Sequence, residues 1–152
     1  MGGRVPLTSA DRIEIMELAS RYNHAIDHRH AEDWADLFTD DGKFMAYGEC
    51  RAQGRAQLVA YIHKAAAAGH KSRHWTSNAV IEGDGATARL KLYVMAIDIS
   101  EGIRPYIMGE YDDSLVKVGG GWKFKERNVT LCAGKSWTQG GLTQHGVTAR
   151  ET

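Results

Sequence analysis

The chain reads as an α+β domain, helices first and then a long, mainly antiparallel meander. Three observations predict this. Apolar residues in the first half recur at helical spacing. The second half consists of long runs rich in β-branched and aromatic residues, broken by glycine turns. The length, 152 residues, suits a single domain over 1–152. Such a chain buries roughly two-thirds of its unfolded surface, enough for a core without staples. Helices are available to cover the face that the sheet must bury.

The elements follow in order. Ser9 offers an N-cap, with Asp11 and Glu14 where the helix dipole favours acids. Ile13, Met16, Ala19, Tyr22 and Ile26 then recur at helical spacing, and Ile15 and Leu18 widen the stripe. A short second helix is expected over AEDWADLF, with Trp34, Leu37 and Phe38 inward. TDDG reads as a turn and KFMAYGE as a strand. A third helix follows in GRAQLVAYIHKAAAAG, where Leu58, Tyr61, Ile62 and Ala65 make the apolar face and Gly69 the stop.

Then come strands. SRHWTSNAVIE leads through GDG into ATARLKLYVMAIDI, and SEGIRP breaks the run. PYIMGEYDDSLVKV, GGG and WKFKERNVTLC complete the meander. From about 134 the tail is polar and glycine-rich, with Trp137 as a candidate anchor. No repeat, linker or second domain is visible.

Nineteen basic residues balance nineteen acidic ones, so the net charge of zero favours neither nucleic acid nor an anionic membrane. No basic stripe carries interleaved aromatics. No apolar run approaches the roughly 20 residues that span a bilayer. The N-terminal stretch lacks an apolar signal core, and the cytoplasm is the expected location. Cys50 and Cys132 are expected as reduced thiols rather than as a disulfide.

Among chemistry-bearing residues, Asp27, His74 and Tyr22 stand out. A carboxylate, an imidazole and a phenol can together take a proton off carbon and give one to a leaving oxygen. Each also has a plain structural reading. Asp27 could cap the following helix, and Tyr22 could be a core tyrosine whose hydroxyl needs one partner. Strand alternation puts His74, Thr76, Asn78 and Val80 on one face and Trp75, Ser77, Ala79 and Ile81 on the other. Both faces are mixed, so period alone does not say which is inside.

His24, His28 and His30 invite a metal reading. The chain has neither HExxH nor a CxxC pair, so a solvated histidine-rich helix end is expected and no metal. No GxGxxG or GxxxxGK[ST] element indicates a nucleotide cofactor. No serine-centred nucleophile elbow appears. No cofactor is expected.

The order helix, helix, strand, helix, meander resembles the nuclear transport factor 2-like superfamily, closest to its SnoaL-like branch. That branch contains scytalone dehydratase, bile acid 7α-dehydratase and hexachlorocyclohexane dehydrochlorinase. The carrying segments are DRIEIMELASRYNHAID, DWADLFTDDGKF, SRHWTSNAVIEGDGATA and GEYDDSLVKVGGGWKFKERNV, and the resemblance spans about residues 9 to 133. It implies a cone-shaped barrel in which three N-terminal helices pack on a strongly curved sheet. It also implies that Asp27 and His74 are the catalytic acid and histidine, and that Tyr22 is the dehydratase tyrosine. The dehydrochlorinase resembles a case with lysine at that last place. Chloride leaves without a proton, whereas hydroxide needs a donor, so Tyr22 tilts the reading toward loss of water.

Arg127 resembles an arginine lining the dehydrochlorinase pocket, although pairing with a surface carboxylate is an equal alternative. Asn78, Tyr47 and Tyr111 complete the expected substrate-binding set. The implied function is a cofactor-independent dehydratase acting on a mostly apolar, cyclic hydroxy-carbonyl compound. Isomerisation, cyclisation or dehydrohalogenation would use the same proton abstraction. The rival from another class is a non-catalytic binding or assembly subunit, like the small subunit of ring-hydroxylating dioxygenases. This fold hosts all of these. A homo-oligomer, trimer or dimer, is expected.

Overall fold

The computed structural model describes residues 5–134, and the tail with Trp137 lies outside the described residues. The elements are α1 (Ser9–Asp27), α2 (Ala31–Ala35), β1 (Phe38–Ala46), β2 (Glu49–Gln53) and α3 (Arg55–Ala67), then β3 (Ser72–Gly83), β4 (Thr87–Asp98), β5 (Arg104–Val118) and β6 (Gly121–Gly134). The six strands form one sheet in the order β2-β1-β6-β5-β4-β3. Among the described residues only the β1–β6 pairing is parallel. The mixed α+β, mainly antiparallel class expected from the sequence is the one observed.

α1 begins at the expected cap and is itself capped one residue earlier. Thr8, not Ser9, is the N-cap, and its hydroxyl accepts from the Asp11 backbone N–H at 3.0 Å. The Asp11 carboxylate accepts from the Thr8 backbone N–H at 2.9 Å, closing a capping box. The buried stripe is also rotated from the one expected. Ile15, Leu18, Ala19, Tyr22, Ala25 and Ile26 face the core, while Ile13 and Met16 are exposed.

The TDDG segment is not a turn. It belongs to β1, whose register on β6 shifts between Phe38 and Lys43. The chain then turns at Tyr47 and Gly48, both at positive φ, and returns as the short edge strand β2. The expected hairpins form at Gly83–Gly85 and at 119–121. Gly119 and Gly120 both take positive φ, as a two-residue turn between twisted strands requires.

Register shifts in β3, β4 and β5 bend those strands. At one of them Gly109 lets β5 approach β6 so closely that a Cβ would lie 2.6 Å from the Thr130 carbonyl oxygen. α1 and α3 cover the inner face. The core between them is an aromatic cluster in which the Tyr22 ring meets Trp34, Phe38, Phe44, Tyr111 and Phe124 at centroid distances of 5.4–6.5 Å.

Candidate active site

Asp27 is the last residue of α1, but it does not cap α2. The N-cap of α2 is His30, which makes no side-chain cap bond. The Asp27 carboxylate crosses instead to β3. It accepts from the His74 backbone N–H at 3.0 Å and contacts His74 Nδ1 at 2.6 Å. An ionised carboxylate can only accept, so Nδ1 is the nitrogen that donates, and in the neutral imidazole Nε2 is the one with the lone pair. The Asp27 and His74 side chains are 6% and 14% exposed, so water competes little for this bond. One turn earlier on α1, Asn23 Nδ2 donates to the Thr76 hydroxyl at 2.9 Å and ties the same two elements together.

His74 lies on the wall of a cavity between the helices and the inner sheet face. The cavity holds about 50 Å³ and is lined by Tyr22 and Ile26 of α1, Tyr61 of α3, and Val94, Tyr106 and Tyr111 of the sheet, among others. A water needs about 10–15 Å³ of such room. The space thus suits a few waters or a small ring, and a larger ligand enters only if lining side chains move.

Tyr22 is fully buried, and its hydroxyl has no hydrogen-bond partner among the described residues. Burial, then the neighbouring Tyr111, pushes its phenol well above the ordinary tyrosine value. Tyr111 is likewise pushed up to about 12 by burial. Both phenols therefore stay protonated at neutral pH. Tyr47 also lines the cavity, from the β1–β2 turn.

Two expected binding residues lie elsewhere. Asn78 is exposed, at φ +59, where the β3–β4 register slips between Ser77 and Val80. This bulge breaks the alternation, so Asn78 does not share the His74 face. Arg127 is fully buried but is not among the residues lining the cavity. Its guanidinium stacks between the rings of Tyr111 and Tyr22, 3.6 and 4.0 Å from their centroids. Its carboxylate neighbour is not on the surface: it is the fully buried Asp113, at 3.4 Å. Burial raises Asp113 to about 7 against the pull of Arg127. Arg127 thus lies behind the two phenols and supports them.

Several lining residues escaped the sequence reading: Arg29, His70, Ser72 and Tyr106. Ser72 is foreseeable from β3 alternation with His74. Arg29 and His70 sit in connections, where no period applies. Burial, then the charge of Arg29, holds His70 below the ordinary histidine value. Among the described residues no group of three or more His, Cys, Asp or Glu could hold a metal. His24, His28 and His30 make ring contacts instead. Cys50 and Cys132 are exposed free thiols. No described helix is long and apolar enough to cross a membrane.

Comparison with known proteins bears on the family and the fold. The SnoaL-like domain profile matches residues 8–128. An uncharacterised protein of Mycobacterium tuberculosis is 28% identical over 131 residues, covering 81% of this chain and 86% of its own. Among solved structures, an NTF2-like protein with a cystatin-like fold from Novosphingobium aromaticivorans superposes with a TM-score of 0.72 at 26% identity, covering 88% and 90% of the two chains. A second protein of that organism, described as a candidate scytalone dehydratase, gives 0.71 at 26% identity over 82% and 85%.

Proposed function

We propose the following function from one premise: the chain belongs to the SnoaL-like family, within the nuclear transport factor 2-like superfamily. In our reading it is a cofactor-independent lyase that removes water from a mostly apolar, cyclic hydroxy-carbonyl compound. The observation that carries this is the 2.6 Å contact between Asp27 Oδ1 and His74 Nδ1 on the wall of the cavity.

His74 acts as the base. Its Nε2 takes a proton from the carbon beside the carbonyl, and Asp27 stabilises the imidazolium that forms, as the orienting acid of a triad does. Tyr22 donates to the departing hydroxyl, which leaves as water. A buried phenol with a raised pKa stays protonated until the leaving oxygen becomes the stronger base. The aromatic walls exclude solvent and fix the approach of substrate to base. Nucleic acid and membrane partners do not enter this reading.

The test is a panel of small cyclic β-hydroxyketones, followed by the absorbance of the conjugated enone and by product mass. Loss of the mass of one water, abolished in His74→Ala, supports the lyase. A product of unchanged mass would make the protein an isomerase or cyclase on the same dyad. Binding without any turnover would favour a ligand-binding subunit.

A further inference from the structure

We infer that Arg29 is the oxyanion-binding residue of the cavity, and that the substrate presents there an sp² oxygen that bears, or comes to bear, negative charge.

The charge inventory comes first. Among the described residues that line the cavity, Arg29 is the one lysine or arginine, and no aspartate or glutamate lines it. Asp27 touches His74 from outside that lining. Nor does any carboxylate pair with Arg29 among the described residues. A cation facing a mostly apolar, narrow space without a counter-ion attracts an anion more strongly than it would in water.

Its placement is built. Arg29 stands two residues beyond α1 at φ +60, a left-handed conformation that residues other than glycine rarely adopt. Its own bonds hold it there. The backbone N–H donates to the Ile26 carbonyl at 3.2 Å, and Nη1 donates to the same carbonyl at 2.8 Å. Nη2 donates to the His70 carbonyl at 3.3 Å. The guanidinium is thus clamped from two sides before any ligand arrives. Of its five N–H donors these bonds use two, and a fixed fork of donors is what stabilises charge that develops during a reaction.

The role rests on the proposed proton-transfer reading and deepens it. The C–H bond breaks and its proton goes to His74 Nε2. The electron pair forms a carbon–carbon double bond, and the carbonyl π pair moves to oxygen. Arg29 donates to that enolate oxygen. When the pair returns, the carbon–oxygen bond to the leaving group breaks, and hydroxide departs as water with the proton of Tyr22. The Tyr22 phenolate is then reprotonated at the expense of the imidazolium. A substrate carboxylate would meet the same donors without any reaction.

The experiment measures binding, so it needs no turnover. The full chain is titrated with 4-nitrophenolate, read by its visible absorbance, with its neutral methyl ether, and with benzoate as competitor. Wild type is expected to bind the phenolate about tenfold or more tightly than the ether, the scale of one charged hydrogen bond. Arg29→Asn tolerates the left-handed backbone and should lose that preference. Arg29→Gln is a second neutral variant if Asn fails to fold. Arg29→Lys keeps the charge but not the fork, and should retain part of it. Phenolate binding tighter than benzoate assigns the oxyanion to an enolate; the reverse assigns it to a substrate carboxylate. The inference is overturned if wild type shows no anion preference, or if a folded neutral variant keeps it. Anion preference without turnover would sink the lyase and leave the role of Arg29 standing.

Discussion

Asp27 commits both carboxylate oxygens to a single residue, taking the backbone N–H and the ring of His74. That double hold sets the imidazole tautomer, so Asp27→Asn should disturb catalysis while keeping shape. We expect a loss of about 10²–10⁴-fold in kcat for Asp27→Asn, and no measurable turnover for His74→Ala, whose ligand binding weakens but persists. Tyr22→Phe should cost about 10²-fold on a hydroxyl substrate, the scale of one acid–base group, and far less where the leaving group needs no proton. Equal slowing of both substrates would mean that Tyr22 only polarises the carbonyl or supports the aromatic cluster. Asn78 gives a contrasting expectation. At an exposed left-handed position, Asn78→Gly should leave both activity and melting temperature nearly unchanged, and a large activity loss would return it to the site. Asp27, His74 and Tyr22 were legible because they sit in segments that resemble the family. Asn78 was misplaced because a bulge does not show in an alternation pattern. Arg29 was invisible because its position depends on a single backbone dihedral beyond a helix end.

At the scale of elements, α1 is anchored by more than its cap. The Asp11 carboxylate also accepts from Lys117 Nζ at 2.7 Å and from Trp122 Nε1 at 2.9 Å, joining the start of α1 to the β5–β6 hairpin. Lys117, then Thr8 and Trp122, hold this carboxyl well below the usual range. The sign follows. A depressed folded pKa stabilises the fold above the ordinary carboxylate value of about 3.9, and the gain is lost as pH falls through the folded value. The melting temperature of Asp11→Asn should therefore lie below wild type at neutral pH, with the gap closing in progressively stronger acid. A gap independent of pH would mean that the bonds to Asp11 do not depend on its charge. Thr8→Ala should cost about 1 kcal/mol of stability. Element order was legible here, since glycine turns and long β runs are local signals. The phase of α1 was not. Ile13 and Met16 are apolar enough to count toward a stripe, and only packing against β3 and β6 decides which side is buried. β2 also escaped notice, because ECRAQ lacks β-branched residues and becomes a strand by pairing with β1.

For the whole molecule, the sheet has two faces and α1–α3 cover one. In register, Trp75 of β3 stands beside Met95 of β4, which stands beside Met108 of β5. Two positions along, Tyr93 lies on the same outward face. Trp75 is 70% exposed, and Tyr93 and Met108 are exposed with it. The next residue back along β3 is His74, so His74 and Trp75 share one strand and point to opposite faces of the sheet. An apolar row across three strands is more than the scattered exposure normal for a monomer. A second copy presenting the same row would bury both, since a two-fold contact places like surfaces together. We therefore expect a homo-oligomer, dimer or trimer, by light scattering at micromolar concentration. Trp75→Glu, placing a charge in the middle of the row, should shift the population to monomer and leave the 2.6 Å dyad contact intact. A wild-type monomer at micromolar concentration refutes the assembly outright. An oligomer untouched by Trp75→Glu would move the interface to another face.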